Sequence, residues 1–78
     1  MKITPSVRKA LGAVTLGEVV RVYRRDGNIL RGPTGVSALT LWRLSNARWI
    51  EDGKHATGAL EKTCAQVLTK AGRDALAQ

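Results

Sequence analysis

The sequence predicts a single small α+β domain with three short helices, an Arg-rich β-hairpin and a second β-hairpin. Three local signals carry this reading. Thr4-Pro5 opens a helical run, Asp26-Gly27 lies between two strand-forming segments, and Thr69 precedes a short amphipathic end. The chain has 78 residues, 44% of them hydrophobic and 24% charged, which suits one folded domain with one modest core.

The first helix starts at its cap. Thr4 is a good N-cap, and Pro5 takes the first helical position, where its missing N–H costs nothing. Val7, Ala10, Leu11 and Val14 follow at helical spacing, and Gly12 weakens the run, so an end near Val14–Leu16 is expected. Residues 18–31 change period. Val19, Val20, Val22 and Tyr23 are strand formers, Asp26-Gly27 is a two-residue hairpin turn, and Ile29-Leu30 begins the return strand. Gly32-Pro33-Thr34-Gly35 then breaks the chain.

A second helix is expected within Val36–Arg48, capped by Ser37. Ala38, Leu41, Leu44 and Ser45 share one face of it, while Leu39, Trp42, Arg43 and Asn46 lie on others. Trp49-Ile50-Glu51 reads as a short strand and Asp52-Gly53 as a turn into a polar stretch, Lys54 to Lys62. Thr63–Leu68 reads as the returning strand, with Cys64, Gln66 and Leu68 on one side. Thr69 caps a last helix, Lys70–Ala77. No repeat, low-complexity tract or linker divides the chain.

One cysteine, Cys64, excludes an intrachain disulfide, and one histidine, His55, leaves no set of residues with zinc-ligand spacing. No paired carboxylates, Cys–His nucleophile or phosphate-cradling glycine loop is legible, so the sequence predicts no enzyme, metal or cofactor. The first residues lack an apolar leader, and no apolar run approaches the roughly 20 residues of a membrane span. A soluble protein of a reducing compartment is expected, in the cytoplasm or nucleoid of a host cell.

The formal charge is +7. Residues 1–50 hold nine Lys or Arg against Glu18 and Asp26, and residues 51–78 hold four against four acids, so the whole excess lies in the first part. Seven of those nine are arginine, whose planar fork suits phosphates and guanine edges, so the distribution points to a polyanionic partner.

Helix, strands, helix, hairpin and short helix run in nearly the order of a winged helix-turn-helix domain. Val36–Asp52 resembles the recognition helix and wing of winged-helix repressors and small phage or prophage proteins. Leu41 and Leu44 stand at its core positions, Ala47-Arg48 at its basic turn and Trp49-Ile50 at the opening of its wing. Val67–Leu76 resembles the closing motif, in which Gly72 lets the last helix approach a neighbour, and Ile3–Leu11 the first helix. One departure stands out: such domains carry two helices before the recognition helix. Here either a very short helix occupies Pro33–Gly35 or the Arg-rich ribbon takes its place.

The resemblance implies duplex DNA as the partner, and a transcriptional regulator of a phage or mobile element as the role. Ser37, Thr40, Arg43 and Asn46 would face base edges, since Arg suits guanine and Asn adenine. Arg21, Arg24, Arg25 and Arg31 on the ribbon, with Arg48, would meet phosphates, and Lys54 and His55 would lie at the wing tip. For Ser37 the competing reading is a cap alone, and for Thr40 a local hydrogen bond. Leu39 and Trp42, with Arg43 beside them, form a ridge better suited to protein than to bases. They support an alternative: a phage-encoded module that binds and inhibits a host nucleic-acid machine. A homodimer through the same ridge is a third reading.

Overall fold

The computed structural model describes residues 2–57 and 62–78, the side chains of 54–57 excepted. Seven elements follow in order: α1 (Pro5–Thr15), β1 (Val20–Arg24), β2 (Gly27–Arg31), α2 (Ala38–Asn46), β3 (Ile50–Thr57), β4 (Lys62–Leu68) and α3 (Lys70–Leu76). The strands form one antiparallel sheet in the order β2-β1-β4-β3. The described residues thus form a small α+β fold of three helices and a four-stranded antiparallel sheet.

Each helix begins at the residue whose side chain best replaces a missing intrahelical acceptor. Thr4, Ser37 and Thr69 each accept from the amide three residues on, those of Val7 (3.2 Å), Thr40 (3.1 Å) and Gly72 (3.1 Å). Two helix ends also share a geometry. After α1, the amide of Glu18 reaches the Ala13 carbonyl and that of Gly17 the Val14 carbonyl, with Gly17 at φ +76°. After α2, Trp49 donates to Leu44 and Arg48 to Ser45, with Arg48 at φ +60°. Both ends are Schellman caps, but the second places an arginine where glycine is normal.

Strand alternation settles which side of the sheet is covered. Val19, Leu30 and Ile50 pack with Val7, Ala10, Leu11 and Val14 of α1, Leu41 and Leu44 of α2, and Ala75 of α3. Cys64 and Gln66, in register with this set, are also buried. All three helices therefore lie on one face. The opposite face carries Val20, Val22, Ile29, Thr63, Ala65 and Val67, with Arg31 and Glu51 toward its two edges. Among the described residues no helix packs there.

Two expectations change, and one open alternative closes. Arg24 pairs with Gly27, so the hairpin turn is Arg25-Asp26 and Gly27, at φ +148°, already belongs to β2. The second helix occupies Ala38–Asn46, within Val36–Arg48 and capped by Ser37 as expected, and it ends where Arg48 turns left-handed. Pro33–Gly35 forms a turn and no helix, leaving the ribbon as the only element between α1 and α2. Asp52-Gly53 does not end its strand: β3 continues to Thr57 through an irregularity between Asp52 and His55. A Cβ at Gly53 would come 2.8 Å from Val67 Cγ1 and 2.9 Å from the Ala65 carbonyl oxygen, so the strand passes there only without a side chain.

Candidate nucleic-acid interface

The covered face of the sheet is not apolar throughout. Arg21, 14% exposed in its side chain, extends from β1 beneath α2. Its Nη1 donates to Asn28 Oδ1 of β2 at 2.9 Å and its Nη2 to Ser45 Oγ of α2 at 2.5 Å. Its Nε lies 3.6 Å from Asp52 Oδ1 of β3, an ion-pair distance but no hydrogen bond, and its guanidinium sits 5.4 Å from the centre of the Trp42 ring. Asp52 is further held by the Tyr23 hydroxyl and by Gln66 Nε2 at 2.7 Å. Donation to the Asp52 carboxylate, with burial second, raises the Tyr23 phenol above its ordinary value of 10.0. All four strands and α2 are thus tied to one another through Arg21 and Asp52. Arg21 is occupied within the fold and is not presented to solvent as the other ribbon arginines are.

Those others stand apart. Arg24 and Arg25 are exposed at the first hairpin's tip, beside Lys62, which is registered with Tyr23 on the adjoining strand. Arg31 is exposed at the far end of β2, about 13 Å along the strand. Arg8, on α1, donates to the carbonyls of Leu76 (3.2 Å) and Gln78 (2.5 Å), joining α1 to the end of α3. The ribbon arginines therefore do not form one patch. Lys54 and His55 lie on β3 by backbone, while their side chains are outside the described part.

α2 presents a different picture. Leu41 and Leu44 turn into the core, and Leu39, Arg43 and Asn46 are exposed. Leu39 stands 60% exposed, whereas Trp42 is half-buried against the core and beside Arg21. The expected ridge is thus only half available. Ser37 Oγ serves as cap and also shares a 2.8 Å hydrogen bond with Thr40 Oγ1, so both hydroxyls are engaged locally.

A groove of about 530 Å³ runs between the start of α1 and the flank of α2, lined by Lys2, Thr4, Ser6, Val7, Thr40 and Arg43. It brings two cations and three hydroxyls together, and among the described residues no carboxylate lines it. Lys2 and Ser6 were not legible as site residues, since nothing in the sequence says that the first helix meets the second there. A smaller cleft of about 420 Å³ at the other end of α2 is lined by Ser45, Asn46, Arg48, Ile50, Glu51 and Thr69. Arg48 reaches this cleft from its left-handed backbone, a conformation that costs an arginine roughly 1 kcal/mol against glycine.

Among the described residues no three His, Cys, Asp or Glu side chains converge as a metal site, and no helix is long and apolar enough to cross a membrane. Comparison with protein-family models, with curated proteins and with solved structures finds no match to this chain.

Proposed function

We propose that this chain is a duplex-DNA-binding module of winged-helix type, engaging the nucleic acid with the exposed side of α2 and the groove beside it. The observation that carries the reading is the groove itself. Arg43 of α2 and Lys2, in the segment before α1, line it with the hydroxyls of Ser6 and Thr40, and among the described residues no acid lines it. Such a surface favours a phosphate group, whose oxygens accept from Arg43, Lys2 and the Ser6 hydroxyl. Arg43 and Asn46 project from the same helix next to it and are the side chains suited to guanine and adenine edges. The order helix, hairpin, helix, hairpin, helix supports the winged-helix comparison, with the Arg-rich hairpin standing in place of a second helix. Regulation of transcription in a phage or mobile element is the role that comparison suggests.

Fluorescence anisotropy with a duplex at two salt concentrations tests the proposal. Binding should weaken steeply with salt, and Lys2→Ala and Arg43→Ala should each lower the logarithmic salt slope by about one. Absence of binding at low salt, or a slope unchanged by both substitutions, overturns it.

Leu39 supports a second reading, in which the same helix docks on a host protein, because a leucine 60% exposed makes no hydrogen bond to a base edge and suits an apolar protein pocket better. Leu39→Asp separates the two better than any change at Trp42, whose packing against the core would confuse binding with stability. Loss of a protein partner with duplex affinity retained favours the second reading.

A further inference from the structure

The uncovered face of the sheet has the wrong chemistry for a surface that meets only water. An antiparallel sheet with one solvated side alternates apolar inward and polar outward. Here the outward set at the centre is Val20, Ile29 and Ala65, each half-buried, around Val22, which is itself buried, with Arg24 at the hairpin end and Val67, 42% exposed, continuing the strip. Val67 also borders a groove of about 280 Å³ formed with Val14, Thr15, Leu68 and Arg73. The residue following Thr15, Leu16, is 76% exposed. Among the described residues Val67 is thus an exposed large hydrophobic residue on this face, away from α2, whereas Leu16 ends α1 in the helical layer.

We propose that a second copy of this chain covers the face, sheet against sheet. The charges at its edges select that occupant. Arg31 is exposed on the β2 edge and Glu51 on the β3 edge, and neither makes an ion pair among the described residues. A two-fold axis parallel to the strands lays the β2 edge of one copy over the β3 edge of the other. Arg31 is registered with Val20 and so with Ala65, and Glu51 with Val67, so the two charges differ by two residues, roughly 7 Å along the strand. That lies within the reach of an arginine side chain. The same operation sets the aliphatic strip on itself in aligned sheet packing. A partner must bring an aliphatic strip, an acid on one side and a base on the other, and this chain meets all three conditions by symmetry.

Four strands across and about five residues along give a footprint of roughly 300–400 Å² on each copy. That is below the size of a stable interface and places the dimer in the weak, concentration-dependent class. The helical layers end up on the outside of the pair, so the two α2 surfaces face apart. Resting on the proposed DNA-binding reading, the dimer bridges two duplex segments instead of gripping two half-sites of one.

Sedimentation of the protein without DNA, from low micromolar to millimolar concentration, tests the pairing independently of DNA binding. Reversible monomer–dimer behaviour is expected, weakened at least tenfold by Val67→Lys, by Arg31→Glu and by Glu51→Arg. The double variant Arg31→Glu with Glu51→Arg exchanges the two charges and should restore association. Circular dichroism checks that every variant is folded. A monomer at all concentrations overturns the proposal, as does a dimer abolished by Leu39→Asp but untouched by Val67→Lys, or a double variant no better than its parents. Anisotropy on a single short duplex should be unchanged in Val67→Lys; a failure of DNA binding in the wild type would leave the sedimentation result standing.

Discussion

Replacing Arg21 with methionine keeps the aliphatic stem and removes the guanidinium. The change deletes the bonds to Asn28 and Ser45, the charge opposite Asp52 and the contact with the Trp42 ring. Breaking a buried ion pair from one side costs about 3–5 kcal/mol. Asp52 is 29% exposed and keeps Tyr23 and Gln66 as donors, so solvent and those bonds reduce the figure to about 2–3 kcal/mol. A domain of this length has about 4–12 kcal/mol in all, so a large fraction is lost. The melting temperature should fall by roughly 10–20 °C. Denaturant unfolding followed by circular dichroism measures the change at constant slope. Adding Asp52→Asn should cost less than its effect alone, because the carboxylate it removes has already lost its counter-charge. A loss below about 0.5 kcal/mol, the range of an ordinary surface substitution, refutes the structural role. Weakened duplex affinity at unchanged stability would instead return Arg21 to the binding surface.

Arg48→Gly should stabilise the fold by about 0.5–1 kcal/mol, measured by denaturant unfolding, since glycine adopts φ +60° freely. If Arg48 contacts phosphate, the same variant should bind duplex more weakly. Gly72→Ala should destabilise by about 2 kcal/mol or more, because its Cβ would lie 2.0 Å from the Trp49 carbonyl oxygen and push α3 off the sheet. Tyr23 is the only tyrosine, so an absorbance titration of tyrosinate reports this residue alone. Its folded value is raised, so the unfolded chain loses the phenolic proton first; stability should fall as pH climbs from 10 toward the raised value. Tyr23→Phe should lose this alkaline decline and cost about 1 kcal/mol at neutral pH.

Much of the scaffold was legible because it is encoded locally. Thr4, Ser37 and Thr69 announce the helix starts through a bond spanning three residues, and the first hairpin reports itself through strand formers on either side of a turn. The failures are of longer range. Asp52-Gly53 has turn composition, yet Gly53 is there because Val67 and Ala65 of β4 leave no room for a Cβ. Arg21 reads as one more ribbon cation until Asn28, Ser45 and Asp52 arrive around it from three other elements. The groove likewise joins Lys2 to Arg43, residues that only helix packing makes neighbours.

A count of positive charge therefore overstates the surface available to an anion, because the fold employs its arginines differently. Arg21 holds the sheet to α2, and Arg8 and Arg73 donate to backbone carbonyls of the C-terminal region. Arg43 and Arg48 have no bond of that kind among the described residues, and both lie along α2, one beside Lys2 and the other at the strained cap. Arg21, tied to Ser45, fixes α2 close to the end from which Arg48 emerges. The buried cation thereby orients the helix that presents the exposed ones. Binding energy can be realised at Arg43 and Arg48 without first ordering the helix that carries them. Arg21 should therefore influence duplex affinity by holding α2 in place and not by contact with phosphate: under conditions where Arg21→Met remains folded, its salt slope should equal the wild type's, whereas that of Arg43→Ala should not.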